Sequence, residues 1–343
     1  MKKFLKSLLR ILSAVAIFCG TVLLAYVLWQ PGSNKVLPKF ENNAIWLGHG
    51  WFGDDLWFKR NKRNFEDFRN AEKIEILFRK LADNDIKTVY PHLCPAQNNG
   101  RIAAYNDEQI ERFLDIAVKY KIKVIPWVGG IFKESARPGD EKWRQNFVFS
   151  IAELLQKHPR LGGVQVNIEP MPSGNRDFLI LLDELNVAMQ GKILSIAAYP
   201  PPTVWHRFPS VHWDLKYLAE VGKRADQMTV MMYDTAIPYR KFYINLYKIW
   251  IKDLFVALAE INTEILLGVP AYEDAGVGYH HPEVEDISAA LSAISASPFQ
   301  KNISGIAIYC EWEMTPDKWQ TWQKYIKSKP PAELVVCTVP KRQ

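Results

Sequence analysis

The stretch LGGVQVNIEPMPSGN, residues 161–175, combines an alternating polar pattern with apolar surroundings. Its polar residues occupy every second position, at Gln165, Asn167 and Glu169, with Val or Ile between them. Side chains of a β-strand point to opposite faces in turn, so these three groups share one face. Pro170 follows at once. The stretch therefore predicts a core strand, one face of which carries two amides and an acid.

Seven further short apolar runs recur along the chain, and segments with helical periodicity separate them. Together they predict eight strands: AIWLG (44–48), IKTVYPHL (86–93), KVIPWVGG (123–130), GVQVNIE (163–169), ILSIAAYP (193–200), MTVMMYD (228–234), EILLGVPAY (264–272) and ISGIAIYC (303–310). This alternation indicates a parallel sheet, and eight units predict an α/β fold, the closed (β/α)8 or TIM barrel. The alternative, an open doubly wound sheet, is disfavoured because the sequence has no Gly-rich dinucleotide fingerprint.

The chain begins with a candidate membrane segment. Residues 11–29, ILSAVAIFCGTVLLAYVLW, form an apolar run of 19 residues, about the length that spans a bilayer as a helix. Basic residues precede it, which predicts a cytoplasmic N-terminus and an exported barrel. A cleaved signal sequence is the alternative, but YVLWQPGS is a poor cleavage site. The predicted organisation is an anchor (1–30), a linker (31–43), a barrel (44–328) and a tail (329–343).

Charge and cysteine spacing argue against several classes of partner and site. The net charge is +6, but four of these charges belong to Lys2, Lys3, Lys6 and Arg10, so no nucleic-acid partner is predicted. The four cysteines, including Cys94 and Cys310, have no short spacing that would indicate a zinc site or a disulfide framework. Likewise, His49, Asp54 and Asp55 in HGWFGDD are not interpreted as a metal site, and His92 is interpreted as a satisfied polar residue. The sequence thus predicts no metal and no cofactor.

Aromatic and acidic residues collect at the carboxyl ends of the predicted strands, where barrel enzymes carry their active sites. Five tryptophans fall there: Trp51, Trp57, Trp127, Trp205 and Trp312. Flat apolar rings beside hydrogen-bonding groups suit sugars, whose faces carry C–H bonds and whose edges carry hydroxyls. One or two of the five are expected to plug the barrel mouth instead. The pattern predicts a carbohydrate site.

Strand 4 offers one acid, whereas glycosidases normally use two carboxyl groups. A substrate-assisted route resolves this difference, because a 2-acetamido group of the substrate then acts as the nucleophile. The protein must supply a general acid, a group that orients the acetamide and a hydroxyl donor to its carbonyl. Glu169, Asn167 and Tyr233 are the predicted residues for these three roles. Gln165 is expected to fill the lumen and to bond to Asn167 or Tyr233.

Several motifs resemble those of glycoside hydrolase family 18, the chitinase-like barrels, over roughly residues 45–325. The resemblance rests on WVGG (127–130), GGVQVNIE (162–169), MMYD (231–234), LLGVPAYED (266–274) and GIAIY (305–309). It implies that Glu169 is the general acid, and that Tyr309 stands where a tryptophan usually closes the sugar site. With the strand-end pattern, it predicts these substrate-binding residues: Gln165, Asp234, Trp127, Trp51, Trp205, Tyr272, Tyr309 and Trp312.

The strand-4 motif departs from that family. Gly162, Gln165 and Asn167 replace its three aspartates. The sequence VNIE is also similar to the family 85 endo-β-N-acetylglucosaminidases, in which an Asn two residues before the Glu orients the acetamide. The prediction is a hydrolase acting on an N-acetylated oligo- or polysaccharide. A catalytically silent glycan-binding barrel is the alternative, and a barrel that docks polysaccharide-assembly proteins is a third option.

Overall fold

The computed structural model describes residues 2–93, 95–189, 191–203, 208, 210–273 and 279–326. Helix α1 (Lys2–Leu28) comes first. The strands are β1 Ala44–Leu47, β2 Thr88–Pro91, β3 Lys123–Val124, β4 Trp127–Ile131, β5 Gly163–Glu169, β6 Ile193–Ala198, β7 Gln227–Met231, β8 Glu264–Pro270 and β9 Gly305–Tyr309. The later helices are α2 Asp55–Asn61, α3 Ala71–Asp83, α4 Asp107–Lys119, α5 Glu141–Lys157, α6 Arg176–Ala188, α7 Leu215–Gly222, α8 Arg240–Ala257, α9 Ile287–Ser295 and α10 Pro316–Ile326. Cys94 and the predicted tail lie outside the described residues.

The strands form one parallel sheet in the order β3-β2-β1-β9-β8-β7-β6-β5-β4. The predicted third strand divides into β3 and β4 because Pro126 has no amide hydrogen to donate. Its two halves still close the sheet. Strand β3 pairs with β2, β4 pairs with β5, and Gln165 N donates to Pro126 O at 2.9 Å. The predicted TIM barrel is therefore confirmed, with its third strand interrupted.

Capping residues define several helix starts. The amide of Gln109 donates to Asn106 Oδ1 at 2.9 Å, which satisfies an N–H group at the start of α4. The amide of Lys318 donates to Thr315 Oγ1 at 3.4 Å at the start of α10. Helix α2 was not predicted, because HGWFGDDLW was interpreted as a strand-end loop. Asp54 is its N-cap and accepts from the amide of Trp57 at 3.0 Å.

A hydrogen-bonded polar layer lies inside the barrel, and it accounts for one of the polar positions on β5. Gln165 is fully buried, and Trp46 Nε1 donates to its Oε1 at 2.7 Å. Its Nε2 lies 3.2 Å from Ser195 Oγ and 3.3 Å from Thr229 Oγ1. The expected bonds to Asn167 or Tyr233 were wrong, because the side chain is directed across the lumen toward β1, β6 and β7. Gln165 supports the floor of the site.

Within the described chain, Lys6–Leu28 of α1 is long and apolar enough to cross a membrane, and its side chains are unburied. Its 23 residues extend about 35 Å at the α-helical rise, against about 30 Å of bilayer hydrocarbon. A signal sequence near the N-terminus would meet the same criteria of length and apolar composition. Near its end, Lys241 Nζ of α8 donates to the carbonyl oxygens of Tyr26 at 2.8 Å and Val27 at 3.0 Å. The helix thus meets the barrel at the start of α8.

Candidate active site

A cavity of about 640 Å³ opens at the carboxyl ends of the strands. Residues from β1, β4, β5, β7 and β9 line it, together with the segments that follow β7, β8 and β9. The lining residues are Trp46, Trp127, Asn167, Glu169, Met231, Tyr233, Asp234, Tyr272, Glu273, Tyr279, Tyr309, Cys310, Trp312 and Glu313. Its position is that of the active site in barrel enzymes.

The close approach of β4 and β5 positions the two polar residues of β5 that reach this cavity. Gly129 is paired with Asn167 in the parallel register. A Cβ atom placed on Gly129 would lie 1.6 Å from the carbonyl oxygen of Asn167. Only glycine permits that approach, which explains the Gly-Gly of WVGG. Asn167 and Glu169 are thus held side by side on the lumen face of a rigid strand.

Glu169 ends β5 and carries a perturbed carboxyl group. Burial among surrounding protein atoms, reinforced by the negative charge of Asp234, raises its pKa to about 6. Hydrogen bonds with Asn167 and Tyr199 oppose that rise in pKa without cancelling it. The carboxyl group still reaches the solvent that fills the cavity, so its surface is accessible although protein atoms enclose it. An acid with a pKa near the operating pH is suited to both giving and taking a proton.

Asn167 contributes an unsatisfied acceptor. Its Oδ1 atom is buried and has no hydrogen-bond partner among the described residues. A buried polar atom without a partner costs about 1–3 kcal/mol, so such atoms are rare in folded proteins. Because Asn167 also lines the cavity, this oxygen is placed to accept a hydrogen bond from a ligand.

Tyrosine rings form one wall of the cavity. Tyr233 and Tyr309 are stacked at a centroid distance of 5.5 Å, and Tyr272 meets both of them edge-on. Trp312 and Trp46 each pack edge-on against Tyr309 at 5.7 Å. Burial, with the nearby Tyr309 and Glu169, raises the pKa of Tyr233 well above its ordinary value. Its hydroxyl therefore remains a hydrogen-bond donor at every physiological pH.

Asp234 stands at the edge of this wall in an unusual conformation. Its φ of 62° lies in the left-handed region, which Asp tolerates better than most residues. The hydroxyl of Tyr272 donates to its Oδ1 atom, and the imidazole of His280 lies 3.2 Å from the same oxygen. The ring of His280 stacks on Tyr272 at 4.0 Å. Asp234 is thus fixed by contacts from the segment after β8.

A second acid lies behind His280. Glu285 is fully buried and accepts three bonds from the backbone amide and hydroxyl of Thr235, the hydroxyl at 2.7 Å. Burial raises the pKa of Glu285 despite those bonds. Burial also opposes protonation of His280, but Asp234 and Glu285 outweigh it and raise the pKa of His280. Asp234, His280 and Glu285 form a charge network beside the cavity, in which His280 and Glu285 are buried and Asp234 is partly exposed.

The structure brings together eight of the predicted site residues, all of which line the cavity: Glu169, Asn167, Tyr233, Asp234, Trp127, Tyr272, Tyr309 and Trp312. Gln165 lies beneath the cavity floor. Trp51 is absent from the lining, because its ring packs on Phe68 and its Nε1 donates to Glu311 at 3.2 Å. Trp205 lies outside the described residues.

The sequence missed three residues that shape the site: Trp46, Tyr199 and Glu285. Trp46 and Tyr199 belong to predicted strand ends, so their positions were available in the pattern. The roles of Glu285 and His280 become evident only from the contacts of Glu285 with Thr235 and of His280 with Asp234.

A protein-family model described as glycosyl hydrolases family 18 matches residues 52–328. That range covers most of the chain and includes every residue that lines the cavity except Trp46. The chain belongs to glycosyl hydrolases family 18. No curated protein matches the sequence.

Solved structures of chitinases and of a spore cortex-lytic enzyme share this barrel at low sequence identity. A class V chitininase from Pseudomonas fluorescens Pf-5 is 12% identical with a TM-score of 0.58, over 83% of this chain and 99% of that one. A chitinase from Bacteroides thetaiotaomicron is 14% identical with a TM-score of 0.54, over 85% and 97%. The spore cortex-lytic enzyme SleL from Bacillus cereus is 10% identical with a TM-score of 0.58, over 87% and 77%. At these identities the likeness concerns the fold alone.

Proposed function

We propose that this family 18 barrel is a retaining glycosidase that hydrolyses an N-acetylhexosamine-containing glycan by substrate-assisted catalysis. The observation that carries the proposal is the pairing of Glu169 with Asn167. One residue supplies an acid whose pKa is about 6, and the other supplies a buried acceptor without a partner in the described chain. A 2-acetamido group offers the N–H donor that this acceptor lacks.

In the first step, the carbonyl oxygen of the acetamide attacks the anomeric carbon. The bond from that carbon to the glycosidic oxygen breaks, its electron pair leaves with the oxygen, and the oxygen takes the proton of Glu169. The product is a cyclic oxazolinium ion. In the second step, Glu169 removes a proton from water, whose oxygen attacks the anomeric carbon and reopens the ring. Two inversions at one carbon retain its configuration.

Asn167 and Tyr233 hold the nucleophile in place in this scheme. Asn167 Oδ1 accepts from the acetamide N–H, which directs the carbonyl oxygen toward the anomeric carbon and delocalises charge from nitrogen. The Tyr233 hydroxyl donates to that carbonyl oxygen, and its raised pKa keeps it protonated. Fixing the nucleophile in an attacking geometry removes much of the entropic part of the barrier. The tyrosine wall and Trp127, Trp312 and Trp46 supply apolar ring faces for the sugar.

The charge that family 18 members place on strand 4 comes from another strand in this proposal. Gln165 and Asn167 are neutral, so they add no negative charge beside Glu169. Asp234, at the end of β7, supplies the charge that helps to raise the pKa of Glu169. The Tyr272 hydroxyl and His280 hold Asp234 in position. The charge that raises the pKa of the general acid thus lies across the lumen and not on the same strand.

A silent glycan-binding barrel would use the same cavity, but it has no need of an acid with a raised pKa. The discriminating experiment uses the full-length protein in detergent with N-acetylated oligosaccharides and their deacetylated counterparts. We expect turnover of the acetylated series alone, and a loss of about 10²–10⁴-fold in the Glu169→Gln variant. Binding of the oligosaccharides by both proteins without turnover would overturn the enzyme proposal.

We also propose that α1 anchors the barrel to a membrane with its N-terminus in the cytoplasm. The basic residues Lys2, Lys3, Lys6 and Arg10 before the apolar span support this orientation. Protease added outside spheroplasts should digest the barrel and leave a reporter fused to the N-terminus intact. Recovery of the barrel in the soluble fraction without residues 1–30 would indicate a cleaved signal sequence instead.

A further inference from the structure

A cluster of two histidines and one aspartate lies at the carboxyl ends of β1 and β2, behind the wall of the sugar cavity. We propose that His49, Asp54 and His92 bind a divalent transition-metal ion of the Zn²⁺ class. One potential ligand atom from each side chain lies within 4.8 Å of the other two. Two imidazoles and one carboxylate match the three-ligand sites that bind zinc and leave a fourth position open.

The geometry requires only side-chain movement. His49 Nδ1 and Asp54 Oδ2 are 3.2 Å apart, and the rings of His49 and His92 have centroids 3.5 Å apart. Ligand atoms around a tetrahedral zinc ion stand about 3.3 Å from one another, given bonds of about 2.0–2.2 Å. The ligand atoms of His49 and Asp54 are already at that spacing. Rotation of an imidazole ring covers the remaining difference.

His92 provides an independent indication of a missing ligand. Its side chain is 8% exposed, and its Nδ1 atom has no hydrogen-bond partner in the part of the chain that the structure describes. The sequence-based interpretation of His92 as a satisfied polar residue does not account for this nitrogen. In its neutral form, an imidazole nitrogen that makes no hydrogen bond can coordinate a metal ion.

The surroundings hold the three ligands in place, as metal sites require of the groups around them. Asp54 Oδ1 accepts from the amide of Trp57, which leaves Oδ2 for an ion. His49 stacks on Trp57, and His92 packs edge-on against Trp127 at 4.3 Å. The side chain of His49 is 37% exposed, which gives an ion a path from solvent.

The positive charge of Arg60 opposes an ion at this site. Its guanidinium Nη2 lies 3.5 Å from Asp54 Oδ2, but its side chain is 60% exposed and is able to swing into solvent. Because Trp127 lines the sugar cavity and contacts His92, an ion on His92 would stiffen that wall. The competing explanation is a hydrogen-bonded pair, His49 and Asp54, whose purpose is to cap α2.

The test uses full-length protein purified without a polyhistidine tag and stripped with a chelator. After dialysis against Zn²⁺, we expect one zinc per chain by atomic emission, and intense visible absorption when Co²⁺ is used instead. The Asp54→Asn variant keeps an N-cap acceptor of equal quality and the side-chain size, so it should fold and melt like the wild type. It should lose more than about 100-fold in Zn²⁺ affinity, because even outer-shell changes cost about 10–100-fold.

His92→Ala should lose affinity to the same extent. The matched control is His281→Ala, since His281 also stands beside a carboxylate, with its Nδ1 3.9 Å from Glu283 Oε1, but outside the cluster. That control should bind zinc like the wild type. Absence of stoichiometric zinc in the wild type, or equal affinity in Asp54→Asn and His92→Ala, would overturn the proposal and leave the capping pair as the explanation.

Discussion

The Nδ1 atom of His280 lies 3.2 Å from Oδ1 of Asp234, beside a cavity that also contains Glu169. Although 3.2 Å is within hydrogen-bond distance, Nδ1 does not form a hydrogen bond of regular geometry with this oxygen, so the contact is mainly electrostatic. Asp234 and Glu285 together raise the pKa of His280 above its ordinary value although burial opposes it. Asp234 and Glu285 therefore favour the protonated form of His280, which holds the strand-end aspartate next to the general acid.

We expect His280→Gln to destabilise the protein most at acidic to neutral pH. Because the folded pKa of His280 is raised, its contribution to stability is fully present below the ordinary value of about 6.5. It is lost as the pH rises through the folded value. Asp234 is partly exposed, so the loss should be about 2 kcal/mol, between that of a surface pair and a buried pair. Thermal melts from pH 5 to pH 9 measure it.

A double-mutant cycle with Asp234→Asn separates this contact from packing. The coupling energy between the two variants should be favourable at pH 6 and close to zero at pH 9. A loss of stability that is the same at every pH would mean that His280 acts only by stacking on Tyr272.

Asp234→Asn should also change the pH dependence of the reaction. The charge of Asp234 contributes to the raised pKa of Glu169, so its removal lowers that pKa. Catalysis requires protonated Glu169 in the free enzyme, and the basic limb of kcat/KM against pH should therefore move to lower pH. Glu260→Gln, which changes an exposed acid between α8 and β8, should leave the limb in place. A shift to higher pH in Asp234→Asn would contradict this electrostatic role.

Asn167→Ala should reduce kcat by about 100-fold or more with little change in stability. The variant removes the acceptor that orients the acetamide, and a misplaced nucleophile costs about that factor. The variant loses the hydrogen bond with Glu169, but it also removes a buried oxygen that lacks a partner among the described residues, so folding loses little. A thiazoline mimic of the oxazolinium ion should bind the variant more weakly than it binds the wild type. Unchanged affinity for the mimic would show that Asn167 does not contact the acetamide.

Gly129→Ala should destabilise the barrel by about 3 kcal/mol or more, the upper range for overpacking a core. The added methyl group would overlap the backbone carbonyl of Asn167, and backbone in the middle of a sheet has no room to move. Gly20→Ala is the control, since no atom approaches within 4 Å of its Cβ position. Urea unfolding of both variants in detergent measures the difference. Equal urea midpoints for the two variants would mean that β4 and β5 accommodate the added methyl group without a loss of stability.

Prediction from the sequence was most successful where the relevant signal is local. The period of two in GVQVNIE coincides with β5 at Gly163–Glu169, residue for residue. The caps of α4 and α10 are local as well, because Asn106 and Thr315 each accept from an amide three positions along the chain. Strand and helix periods depend on residues a few positions apart, so eight such units were enough to predict the barrel, and the rule for barrel active sites pointed to Glu169.

Local periodicity could not predict contacts between segments that are distant in the sequence. The period of two assigned Gln165 to the lumen face, but the register of four strands decided that it bonds to Trp46 rather than to Asn167. Of the two tryptophans near strand 1, the sequence analysis selected Trp51 and missed Trp46, and only packing placed Trp46 on the cavity and Trp51 against Phe68.

The sequence by itself determined the barrel, the family and the strand that carries the acid, because each depends on periodicity or on motifs within a few residues. The tertiary structure alone decided which charges act on that acid and which polar atoms remain unsatisfied. His280 meets Asp234 across 46 positions, and His49 meets His92 across 43. Such meetings depend on loop paths and strand register, which are set by the packing of the whole barrel.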